Sequence, residues 1–116
     1  MDTIQIYTKA STADTESRPQ IAWKDYDLTI EFNDYTNNLV IFKFFDVPFF
    51  KFLSSEEPSV SSLSDDCIHE VQNSELLSLL KSCGEIEPDE DFKHWLVGFN
   101  EIGSFVEIIF RGFSEE

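Results

Sequence analysis

Few residues of this 116-residue chain are suited to chemistry. Cys67 and His69 stand two apart, so on an extended strand their side chains share a face, where an imidazole can activate a thiol or the pair can contribute to a zinc site. Two ligands do not complete such a site, and no further Cys or His pair has matching spacing. The pair is therefore read as structural. His94, beside Trp95 in an alternating run, is expected on a sheet surface. The four glycines are not clustered, and there is no Gly-rich phosphate loop, no Ser between glycines and no His-Glu-x-x-His. An enzyme is not expected; no catalytic, metal or cofactor residue is assigned.

Carboxylates are the abundant functional group. Glu85, Glu87, Asp89, Glu90 and Asp91 form one acidic run that lacks the Asp-x-Asp-x-Asp-Gly spacing and distant Glu of an EF-hand loop, so it is not a calcium loop of that kind. It serves either as a solvated surface or as a docking site for a basic partner. Glu56, Glu57, Asp65 and Asp66 make a second acidic segment, and Glu115 and Glu116 close the chain. With 23 Asp plus Glu against 8 Lys plus Arg the net charge is −15. That surplus disfavours direct nucleic-acid or anionic-membrane binding and favours basic proteins, whose association a concentrated negative field accelerates. If the two acidic segments adjoin in space, they make one continuous field. Among aromatics set beside acids, Trp23 and Tyr26 are expected in the core, whereas Tyr35, in a turn, is expected to be exposed and available as a binding anchor.

Acidity on this scale usually accompanies disorder, but 41% hydrophobic residues and twelve Phe argue for a folded core. Alternation supplies the elements. Tyr26, Leu28, Ile30 and Phe32 alternate with Asp27, Thr29 and Glu31 as in a half-buried strand, and Asn33–Asn38 is turn chemistry. Leu39–Phe45 is apolar on both faces, which predicts a central strand, and Asp46–Pro48 predicts a bend. Ile4–Tyr7 predicts a short strand; Phe49–Leu53 fits an edge strand or a connection, and Ile68–Gln72 is ambiguous. The Ser-rich segment 54–66 is expected to be a mobile surface loop.

Asn73 or Ser74 can cap a helix over 74–83, with Leu76, Leu79, Leu80 and Cys83 as its buried stripe and Gly84 as its left-handed stop. Phe92–Phe99 and the strand ending at Phe110 pair through a loop containing Gly103. These elements predict a single α+β domain over 1–116, an antiparallel sheet of about five to six strands with the short helix packed on one face. The start of the chain has no basic region or apolar stretch of the signal-peptide kind, no window reaches membrane-span length, and the two cysteines are expected as free thiols. Together these predict a cytoplasmic protein, monomeric or homodimeric when free.

The strands around Asp27–Phe32, the Phe-rich strand through Phe45, the helix entry at Val71–Leu77 and the closing hairpin Trp95–Phe110 resemble small acidic bacterial immunity proteins of contact-dependent growth inhibition and related polymorphic-toxin systems. The likeness is one of size, acidity and style over most of the chain. It implies a stoichiometric inhibitor that covers the active site of a basic toxin domain, a nuclease in the commonest case. The alternative is an adaptor or oligomeric interaction domain.

Overall fold

The computed structural model describes residues 2–116. Strands β1 (Thr3–Ile6), β2 (Gln20–Lys24), β3 (Asp27–Asn33), β4 (Leu39–Phe45), β5 (Phe49–Ser54) and β6 (Ile68–Val71) precede the helix α1 (Glu75–Ser82). After it come β7 (Lys93–Phe99), a 3-10 turn (Asn100–Ile102), β8 (Ser104–Phe110) and β9 (Gly112–Glu115). The strands form a five-stranded sheet, β1-β6-β7-β8-β5, and a four-stranded sheet, β2-β3-β4-β9, with every pairing antiparallel.

Alternation explains why the two sheets meet. Leu28, Ile30 and Phe32 of β3 and Val40, Phe42 and Phe44 of β4 make one inner face; Trp95, Val97 and Phe99 of β7 and Val106, Ile108 and Phe110 of β8 make the other. All are buried, as period-two patterning requires where one sheet covers another. Aromatic edges meet aromatic faces across the interface: Phe44 lies 5.0 Å from Phe110 and 5.8 Å from Trp95, and Phe32 lies 5.1 Å from Phe99. The indole Nε1–H of Trp95 finds Glu70 Oε1 at 3.0 Å, so the buried ring leaves no polar atom unpaired.

Among the described residues the chain is thus mainly antiparallel sheet with one helix, but a single sheet of five to six strands under a helix is corrected to nine strands in two layered sheets. The second sheet, rather than the helix, covers the core. None of the residues of α1 is buried, and Leu79 and Cys83, expected on its buried stripe, are exposed. Its ends are nevertheless well formed. Ser74 Oγ accepts from the Leu77 amide, and Gly84 at φ +85° lets the Glu85 amide bond back to the Leu80 carbonyl.

Strand β2 and strand β9 carry no clean alternation, because an edge strand exposes one face and part of the other. The outer face of β4 is also open to water, so Leu39 is 62% exposed despite the strand's central position between β3 and β9. Segment 54–66 is not a free loop. It is a run of turns, Glu57 to Ser54, Val60 to Glu57 and Leu63 to Val60, pinned by fully buried Val60 against Val71, Leu96 and Phe105 on the outer face of the five-stranded sheet.

In the β3–β4 turn, Asp34 accepts from the Thr36 hydroxyl, the Asn38 amide and the Thr36 amide, bonds that together hold its carboxyl below the usual carboxylate range. Asn37 takes the left-handed conformation at φ 64° that this turn chemistry anticipates. The terminal acid Glu115 is structural as well. Its two carboxylate oxygens accept from the Lys9 and Ala10 amides at 2.8 Å each, tying the segment after β1 to β9.

Candidate functional site

Strand register separates the two acidic segments. Segment 54–66 leaves β5 where Ser54 stands opposite Ser104, at the end of the sheet that holds the β7–β8 turn. Segment 85–91 enters β7 where Lys93 stands opposite Phe110, at the other end. A seven-residue strand spans about 20 Å, so Glu56, Glu57, Asp65 and Asp66 occupy one pole and Glu85, Glu87, Asp89, Glu90 and Asp91 the opposite one. They do not form one continuous field. Tyr35 is exposed as expected, at 60%, and its turn lies at the pole of segment 54–66.

At the 85–91 pole carboxylates adjoin a packed pair of exposed aromatics, Trp23 and Tyr26. The β2–β3 hairpin turns on Asp25 and Tyr26, both left-handed at φ 52° and 65°, the geometry of a two-residue turn that suits strand twist. Its tip is tied to the bend after β4: the Val47 amide donates to the Tyr26 carbonyl at 2.6 Å and Trp23 Nε1–H donates to the Val47 carbonyl at 3.1 Å. Trp23 and Tyr26 meet edge to face at 5.8 Å, and Trp23 rests 5.5 Å from Phe50. Their expected place in the core is corrected. Trp23 is 47% and Tyr26 61% exposed, because β2 is an edge strand and Tyr26 is the turn itself.

Asp25, Tyr26, Asp46, Glu85, Glu90 and Phe92 help line an open hollow of about 340 Å³ at this corner. Arg111 crosses it, pairing with Glu90 at 3.1 Å and Asp46 at 3.7 Å and lying 5.8 Å over the Phe92 ring. Ile86, buried, anchors the acidic run to the body of the protein. Segment 85–91 is therefore a fixed rim with one neutralised pair, not a free acidic loop. Asp25 and Asp46 belong to this rim; sequence reading passes over them because they are distant from 85–91 along the chain.

The Cys67–His69 pair does share an environment, with Cys67 Sγ 3.3 Å from His69 Nε2. The same Nε2 lies 2.9 Å from the Ser64 carbonyl, which can only accept, so Nε2 carries the proton and has no lone pair for the thiol. Burial and the carboxylates of Asp66 and Asp65 push the Cys67 thiol up, away from thiolate. The arrangement does not activate a nucleophile. Among the described residues, no three of His, Cys, Asp and Glu converge as metal ligands, and no helix is long and apolar enough to cross a membrane.

His94, expected on a sheet surface, is only 5% exposed and bonds at both ring nitrogens, to Ser74 Oγ at 2.7 Å and to Glu107 Oε2 at 2.8 Å. Ser74, His94 and Glu107 come from a helix cap and two strands. No spacing in the sequence joins them. Comparison of the chain with protein-family models, curated proteins and solved structures finds no match.

Proposed function

We propose that the protein is a cytoplasmic, stoichiometric inhibitor of a basic protein, a toxin domain of the nuclease kind, in the manner of the immunity proteins it resembles. What supports this reading is one juxtaposition: exposed Trp23 and Tyr26 beside Asp25, Asp46 and the 85–91 rim, on a scaffold whose net charge is −15. Exposed Trp and Tyr are the side chains most enriched at interface hot spots, and surrounding carboxylates complement the Lys and Arg with which nucleases hold phosphate. Inhibition then needs occupancy of the toxin's cleft and no chemistry.

Coexpression with a basic toxin domain encoded by the adjoining gene tests the reading. The protein should restore growth and bind that domain one to one, at a rate that falls steeply with ionic strength. Changing Glu85, Glu87, Asp89 and Asp91 to amides should slow association and flatten its salt dependence, whereas Tyr26→Ala should mainly speed dissociation, costing about 2 kcal/mol or more. Absence of protection and of binding would overturn the proposal.

A second reading, an oligomer-forming interaction domain, draws on edge strand β5, where Phe52 is 54% exposed beside an unpaired strand edge. Sedimentation separates the two. A homodimer broken by Phe52→Lys favours the second; a monomer favours the first.

A further inference from the structure

The most organised polar constellation in the molecule is not at the acidic rim. Ser74 caps α1, His94 is the second residue of β7, and Glu107 lies at the middle of β8; buried Ser74 and His94 and half-buried Glu107 make a chain of hydrogen bonds. Glu107 carries a carboxylate, which accepts, so His94 donates from Nε2; Nδ1 is then left with its lone pair toward Ser74, whose hydroxyl donates to it. His69, by contrast, spends its Nε2 proton on a carbonyl and has nothing to offer the neighbouring thiol. The roles of nucleophile, base and orienting acid are filled in order at 2.7 and 2.8 Å.

The surroundings of Ser74 are compatible with a nucleophile as well as a cap. Ser74 and His94 both line an open hollow of about 420 Å³ whose wall includes Asp2, Val71, Glu75 and Leu76. The Leu77 amide donates to Ser74 Oγ at 3.1 Å, a bond that strengthens as negative charge grows on that oxygen. The amides of Glu75 and Leu76, at the first positions of the helix beside Ser74, have no intrahelical acceptor and are free to donate to an incoming oxygen. Asn73, left-handed at φ 51°, makes the sharp turn from β6 that brings the serine to the cap.

We propose that Ser74, His94 and Glu107 form an acyl-transfer site that takes a small neutral or cationic carboxylic ester. Asp2 and Glu75 at the hollow disfavour an anionic substrate, and Val71 and Leu76 offer apolar wall to its carbon chain. Ser74 Oγ bonds to the ester carbonyl carbon while its proton passes to His94 Nδ1, and the carbonyl π pair moves onto oxygen, facing the two free amides. Collapse breaks the ester C–O bond, and the alcohol leaves with the proton from His94. Water, deprotonated by His94, then attacks the acyl-serine, releases the carboxylic acid and restores the Ser74 hydroxyl. Glu107 touches no reacting atom; it is a positioning residue that holds the His94 tautomer.

The test treats the full chain with a fluorophosphonate and with p-nitrophenyl acetate, independently of any protein partner. One adduct should form, mapped by peptide mass spectrometry to Ser74, with ester turnover blocked in step. His94→Gln should lower the labelling rate about 10²- to 10⁴-fold. Glu107→Gln should lower it by a smaller factor that Glu107→Asp partly restores, a recovery that a merely structural role would not show. Ser74→Asn keeps a capping side chain and should fold, by circular dichroism melting, while losing all labelling. Failure of the folded wild-type chain to label at Ser74, or labelling unchanged by His94→Gln, overturns the proposal.

Discussion

Alternate residues of β7 and β8 point to opposite faces of the five-stranded sheet, and the faces differ in kind. The inner face presents Trp95, Val97, Phe99, Val106, Ile108 and Phe110 to a second sheet, in a layer with almost no polar atom. The outer face presents His94, Leu96, Phe105 and Glu107 to turns and a helix cap. A sheet satisfies its own backbone and can cover apolar side chains; irregular chain brings free amides, carbonyls and hydroxyls that need partners. Buried polar groups therefore collect on the outer face, where an imidazole can be left with a lone pair to use.

The inner face should be the costlier to damage. Phe44→Ala removes a ring in contact with Trp95, Phe110 and Phe113 and should destabilise the fold by about 3–5 kcal/mol, read by chemical denaturation. On the outer face the corresponding lever is backbone. A Cβ at Gly98 would sit 2.7 Å from the Asp65 carbonyl oxygen and 2.9 Å from that of Cys67, so Gly98→Ala should cost about 1–3 kcal/mol and loosen segment 54–66, seen as faster amide exchange there. If both substitutions cost the same and exchange is unchanged, the two faces are not distinct.

The smallest effect concerns Cys67. Burial and the charges of Asp66 and Asp65 raise its thiol above the ordinary range, so thiolate is scarce at neutral pH and alkylation should lag behind that of exposed Cys83. Its rate should climb only at a pH above that of an ordinary thiol, and Asp66→Asn should shift that rise toward lower pH. An unmoved profile would assign the lag to burial alone.

Period-two alternation made β3, β4, β7 and β8 legible, because each has one face in the core and its residues differ by face. The ends of α1 were legible too, to within the choice of Asn73 or Ser74 as the cap, since capping residues and Gly84 act within a turn of their own positions. Edge strands β2 and β9 were not, as neither face is fully buried and the pattern that marks a strand is a pattern of burial. Trp23 and Tyr26 misled for a related reason: an aromatic is taken for core until the strand that carries it proves to be an edge. Of the candidate site, the 85–91 acids were plain and Asp25 and Asp46 were not.

What the chain determined locally was composition and short-range geometry: the −15 charge, the turn at Asp34–Asn38, the helix ends and the strands that alternate. Those follow from side chains acting on backbone a few residues away. Tertiary structure decided the rest: which sheet covers the core, that the acidic segments lie at opposite poles, that aromatics join one of them, and that Ser74, His94 and Glu107 meet. Such meetings depend on strand order and register, which arise from how all the strands pair together, and no local spacing encodes them.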